Sequence, residues 1–287
     1  MATMKAIKKR ISSVNNTKKI MKAMDLVAAS KLQKAKSRLD DVRPLYDNIK
    51  LVMDGIKAGI SRGEEIAFAE EREVKNIVYI VLTSDRGLCG GYNTNVSKEA
   101  LACMNANEKT QEKIITVGTK GLEYFRRRNK SIIYKTAGAS ESTTFEDAEF
   151  IGTKIATMYT SGEIDEAYLV YTHFETILSH VPRVEKILPV RADETSDSTQ
   201  GFIEMSYDPD VSTFISYAVP MYLNVTIYGA MMEAAVCEYA SRMTSMDAAT
   251  RNAAEIIDDL TLVYNRKRQS MITQEITEIV SGANALK

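Results

Sequence analysis

Residues 83–93 read Thr-Ser-Asp-Arg-Gly-Leu-Cys-Gly-Gly-Tyr-Asn, the stretch best suited to chemistry. They follow an apolar run and precede a helical pattern, where α/β proteins bind phosphates on backbone N–H groups. The spacing is neither G-x-x-x-x-G-K-[ST] nor G-x-G-x-x-G, and no lysine follows the glycines to reach a terminal phosphate. Two readings stand: a nucleotide site, or a tight turn that needs small residues. Other constellations are weaker. His173 and His180 are the only histidines, and no G-x-S-x-G elbow is present, so neither a triad nor a metal cluster is expected. Cys89, Cys103 and Cys237 form no CxxC pair and fit a reducing compartment as small packing residues. Arg126, Arg127, Arg128 and Lys130 make a basic run at a predicted helix end, where the helix dipole favours cations.

The elements around the turn alternate. A buried strand is predicted over 76–83, then a helix over 93–105, a strand over 113–117 and a helix over 120–128. A strand over 132–135, a helix over 145–160, a strand over 167–172 and an edge strand over 184–189 follow. This alternation implies a mostly parallel sheet covered on both faces. Residues 193–200 (DETSDSTQ) read as an exposed loop.

Both flanks are helical with a heptad-like period. On a 3-4 spacing from Ile7 to Ile56, 13 of 15 slots are apolar, with Lys18 and Asp25 the exceptions. From Phe214 to Val263, 14 of 15 are apolar, with Arg242 the exception. A sustained 3.5-residue repeat means a supercoiled helix with one narrow seam. Pro44 is expected to kink the first helix without stopping it. Laid antiparallel end to end, the seams pair residues whose numbers sum to about 270. Asp25 and Arg242 then fall within a turn of each other, and a seam ion pair is expected because seam charges are costly unless paired. Residues 264–287 have no partner and form an overhang of roughly 35 Å at ~1.5 Å per residue.

The chain of 287 residues carries 37 Lys+Arg against 38 Asp+Glu, a net charge of −1. That near-neutrality hides an imbalance, because residues 1–50 hold 13 Lys+Arg against 4 Asp, a net of +9. The basic helix lacks the interleaved aromatics that would stack on bases. No apolar run approaches the ~20 residues of a membrane span. The basic start lacks the ~7–15-residue apolar core of a secretory signal.

Three stretches resemble the gamma subunit of bacterial F-type ATP synthase. They are IKKRISSVNNTKKIMKAMDLVAASKLQKA at 7–35, SDRGLCGGYN at 84–93, and SRMTSMDAATRNAAEIIDDLTLVYNRKRQSMITQEITEIVSGANAL at 241–286. The resemblance spans essentially the whole chain. It implies a discontinuous antiparallel coiled coil from both termini, 1–60 and 208–287, with a Rossmann-like α/β domain inserted at 75–190. It further implies a non-catalytic central rotor shaft, without cofactor or metal, coupling ion flow through the c ring to the catalytic sites of the alpha/beta ring. The implied partners are the alpha and beta subunits, epsilon and the c ring, and not nucleic acid. The implied place is the cytoplasmic face of the bacterial membrane, held there only through the complex. By resemblance, Met24, Arg242, Arg268, Gln269, Thr273 and Glu275 contact beta in energy coupling. Ile272, Ile276, Ile279, Val280 and Ala283 suit an apolar bearing in the sleeve of the ring, and Tyr207 falls in the foot near the c ring and epsilon. The chloroplast-type insertion with its cysteine pair is absent, so no thiol switch is expected. Two alternatives remain: a coiled-coil-dimerised enzyme with a nucleotide site at 83–93, and a coiled-coil adaptor with a basic face.

Overall fold

The computed structural model describes residues 3–60, 68, 72–107, 110–140, 143–190 and 211–285. The expected loop at 193–200 and Tyr207 lie outside them, as does the side chain of Ile56. Ten elements follow one another. They are α1 (Met4–Ile60), β1 (Asn76–Leu82), α2 (Tyr92–Ala106), β2 (Gln111–Val117), α3 (Thr119–Arg126), β3 (Ile132–Thr136), α4 (Phe145–Thr160), β4 (Glu166–Phe174), β5 (His180–Leu188) and α5 (Val211–Ala285). The architecture is an antiparallel coiled coil from both chain ends carrying an inserted Rossmann-like α/β domain. By compactness the chain divides into two units, 1–28 with 242–287, and 29–241.

In the larger unit the five strands lie in the order β3-β2-β1-β4-β5. The first four are mutually parallel and β5 is antiparallel to β4. Continuous β-branched strands suit a sheet covered on both faces, and β1 is buried from Ile77 to Leu82. Strand side chains alternate between faces. Ile77, Tyr79 and Val81 therefore meet Val96, Ala100 and Met104 of α2 and Phe125 of α3 on one face. α4 begins with a capping box, in which the Asp147 carboxylate accepts the Thr144 N–H at 2.8 Å. Strand β5 starts at His180, four residues before the predicted edge strand. Its polar alternation, His-Val-Pro-Arg-Val-Glu, masks a strand that pairs from His180 onward with Phe174 and its predecessors.

Both long helices are continuous, α1 through Pro44 and α5 through Pro220. In α1 every predicted seam slot whose side chain is described, from Ile7 to Met53, is buried or half-buried, including Lys18 and Asp25. The register also matches. The Lys31 ammonium lies 5.5 Å from the centre of the Tyr239 ring, and these two numbers sum to 270.

The α5 helix departs from a single seam. Between Leu223 and Ala240 it is buried or half-buried all round, with Asn224, Thr226, Met231, Ala234, Val236, Cys237 and Glu238 buried as well as the slots Val225, Met232 and Ala235. A helix covered on all sides is a core element. Its second face meets the α/β domain. Gly152 of α4 allows this, since a Cβ there would stand 2.0 Å from Asn224 Oδ1 and 3.1 Å from the Asn224 backbone nitrogen.

In the smaller unit Ile7, Ala28, Met246 and Ala253 are buried. Further along α5, every residue from Arg268 to Asn284 is exposed.

Candidate functional site

The strand order reverses between β1 and β4, and open α/β sheets bind ligands outside the carboxyl ends of the strands at that point. Here the chain's own side chains fill it. Cys89 and Tyr92 of the glycine-rich turn cluster with Cys237 of α5, and Phe174 packs on them. The Ser241 hydroxyl donates to the Cys89 carbonyl at 2.7 Å, and the Cys237 thiol donates to the Thr172 carbonyl at 3.4 Å. Burial pushes the Cys237 thiol well above its ordinary pKa, so it stays protonated and unreactive. The His173 Nδ1 lies 2.9 Å from Glu233 Oε2, tying β4 to α5 once more.

Between β1 and β2 the chain's own side chains also take up the hydrogen-bonding groups. The Thr83 hydroxyl donates to the Val117 carbonyl and accepts the Gly121 N–H, both at 2.9 Å. Asp85 Oδ1 accepts the Thr119 N–H and hydroxyl at 2.9 Å, and its Oδ2 accepts the Gly138 N–H at 2.9 Å. Asp85 thus occupies the N-terminus of α3, the position that would attract a phosphate. Partial burial works to raise its pKa, but the hydrogen bonds from Thr119 and Gly138 outweigh that and hold it below the usual carboxylate value. The glycines explain themselves here. Gly118 has φ of +99°, and a Cβ on it would stand 2.3 Å from the Thr83 carbonyl oxygen.

Within the turn, Ser84 and Asn93 bind each other. The Ser84 N–H donates to Asn93 Oδ1 at 2.9 Å, and the Ser84 hydroxyl donates to the Arg86 carbonyl at 2.6 Å. The small residues serve a tight turn, and Leu88 and Gly90 take positive φ there, 63° and 55°.

A polar joint lies alongside. Burial first, then the Glu185, Glu233 and Asp47 carboxylates, push Tyr46 up to about 12. Burial with Glu185 and Glu233 also raises Tyr171, which donates to Glu185 Oε2 at 3.4 Å. Sequence reasoning did not single out this joint, because its members come from α1, β4, β5 and α5 and share no local motif. Among the described residues no group of three or more His, Cys, Asp and Glu could hold a metal ion.

The residues expected to couple and to bear lie elsewhere, in the smaller unit. Met24 and Asp25 are half-buried and Arg242 is buried. Arg268, Gln269, Thr273 and Glu275 are exposed along α5, with Thr273 Oγ1 donating to the Gln269 carbonyl at 3.0 Å. Ile272, Ile276, Ile279 and Val280 are 46, 56, 71 and 53% exposed, and Ala283 is exposed too. With Met271, 41% exposed, five large apolar residues lie exposed in this one helical stretch.

Fold and site together define a class: a shaft of two long terminal helices with an inserted α/β domain whose switch-point turn packs on Cys237 and Ser241 of α5. A family model described as ATP synthase matches residues 3–286. An ATP synthase gamma chain from Alkaliphilus metalliredigens is 41% identical over 288 residues, covering 99% of each chain. Another from Desulforamulus reducens is 39% identical over 287 residues, covering 100% of each. A chain of the Euglena gracilis mitochondrial ATP synthase, solved as OSCP, F1 and c-ring, has the same fold. Its TM-score is 0.70 at 16% identity, covering 99% of this chain and 94% of that one. A chain of the Tetrahymena thermophila mitochondrial ATP synthase central stalk and c-ring matches with TM-score 0.63 at 24% identity, over 80% and 99%. The chain belongs to the ATP synthase gamma chain family. Its role is the central rotor shaft that couples ion flow to the conformational cycle of the catalytic sites.

Proposed function

We propose that this chain carries no catalytic site of its own and acts purely mechanically, between a ring of alpha and beta subunits and the c ring, with epsilon beside its foot. The observation that supports this most is the filled switch-point crevice. A nucleotide entering there would have to displace Cys237 and Ser241 of α5 and the Asp85 carboxylate from α3. In this reading the shaft comprises 1–60 and 208–287, with 264–287 as a single-helix overhang, and the α/β domain is 75–190. The complex holds the chain at the cytoplasmic face of the membrane as a peripheral subunit. No helix among the described residues is long and apolar enough to cross a membrane.

The parts then have distinct tasks. Ile272, Ile276, Ile279, Val280 and Ala283 turn in the sleeve of the ring, where apolar contacts without fixed partners let a helix rotate. Met24, Arg242, Arg268, Gln269, Thr273 and Glu275 touch beta, and Tyr207 belongs to the foot near the c ring and epsilon. Asp25 and Arg242 form the seam ion pair that fixes register, a reading that the Lys31–Tyr239 contact one to two turns away supports. A shaft shifts a site between states only through unequal contact free energy with those states. Reversing a 1:99 population takes about 5.5 kcal/mol of that difference. An asymmetric shaft offers each catalytic site a different face at each angle.

Two measurements test the proposal. The purified chain should neither bind nor hydrolyse ATP by calorimetry and phosphate release, and turnover without partners would refute it. In a reconstituted complex, Met24→Lys should leave assembly intact while proton or sodium pumping falls relative to ATP hydrolysis. Unchanged coupling would remove Met24 from the contact.

A further inference from the structure

Strand β3 is the open edge of the sheet, pairing only with β2 among the described strands. Between that edge and the last turn of α3 lies a cleft of about 810 Å³. Half-buried Leu122 and Ile133 give it an apolar floor, Asn129 adds a polar donor, and Arg126, Lys130 and Lys135 make its rim cationic. Lys130 is paired with Glu112 at 2.6 Å. Arg126 and Lys135 are exposed, on opposite walls. The dipole of α3 accounts for a cation at its end, but not for Lys135 on the facing strand.

Open edges invite strand pairing, and proteins guard them with lysine and bulges. Both occur here, for the β2–β3 register shifts between Ile114 and Ile115 and leaves Ile133 over. A second copy of this chain would bring cation against cation, so the rim selects against self-pairing and in favour of an anionic strand. We infer that this cleft docks an extended acidic segment of a partner protein. The segment runs along β3, sets apolar side chains on Leu122 and Ile133, and turns carboxylates toward Arg126 and Lys135. This is strand addition with a charge filter.

The probe is a fluorescein-labelled peptide alternating Glu and Val, titrated with the full chain at low salt and followed by anisotropy. Binding should weaken at least about tenfold for Arg126→Glu combined with Lys135→Glu, two exposed positions where the fold tolerates change. It should weaken similarly when alternate peptide residues are proline, which removes the main-chain donors. Hydrogen exchange on the unaltered chain should show residues 132–136 gaining protection when the peptide is present. Equal binding of a Lys-Val peptide, equal binding of the proline peptide, no binding, or unchanged exchange at β3 under saturating peptide would each overturn the inference.

Discussion

Two stretches of α5 differ as much as one helix allows. From Leu223 to Ala240 it is covered on every side, and from Arg268 to Asn284 it is bare on every side. Both carry apolar residues, yet only the first is covered among the described residues. The covered stretch holds the shaft to its α/β domain through packed Ala, Val, Met and Cys side chains, Asn224 against Gly152, and the Glu233–His173 contact. The bare stretch leaves Ile272, Ile276, Ile279 and Val280 exposed. The lesson is a contrast along one helix: fixed packing from Leu223 to Ala240, and from Arg268 to Asn284 an exposed apolar surface that suits the bearing proposed above.

The largest effect should come from a charge in the covered stretch. Ala234 is 1% exposed, and Ala234→Asp should cost about 4 kcal/mol or more and leave little soluble folded chain. Thermal unfolding and expression yield read this out. Next, Gly152→Ala should cost about 1–3 kcal/mol by pushing Asn224 off α4, seen as a lower urea midpoint.

Asp85→Ala comes third, at about 1 kcal/mol, because it removes the acceptor that caps the first N–H of α3 and leaves the exposed Thr119 and Gly138 donors to water. Its pH signature has a fixed sign. The folded pKa is below the unfolded one, so the stabilisation is present above the usual carboxylate value and lost as pH falls through the folded one. Asp85→Ala should therefore flatten the acid limb of a stability-versus-pH curve. The smallest effect should be in the bare stretch, where Ile276→Ser or Ile279→Ser should change the stability of the isolated chain by under about 0.5 kcal/mol. A large loss there would end the distinction between the two stretches.

Much of this was legible beforehand, for identifiable reasons. The α1 seam showed because one face of a helix repeats locally, and the same repeat set the register that Lys31 and Tyr239 display. The expected helix over 145–160 coincides with α4, whose start Thr144 and its capping partner Asp147 fix. The double burial of 223–240 was missed because a search for one seam stops at the first face that fits, although Leu223, Ile227, Ala230 and Ala234 supply a second. The plugging of the crevice was also hidden. Asp85 meets Thr119 and Gly138, 34 and 53 residues away, and Cys89 meets Ser241 across 152. Such pairings arise from the folded sheet and leave no local pattern. The glycine-rich turn therefore kept two readings until its neighbours were in place.

The central claim is that this chain turns. The direct measurement joins it to alpha and beta subunits, fixes the ring to a surface and attaches a bead to an exposed position of the α/β domain. The bead should rotate in one direction during ATP hydrolysis and stop when ATP is withdrawn. Sustained hydrolysis with the bead stationary would contradict it.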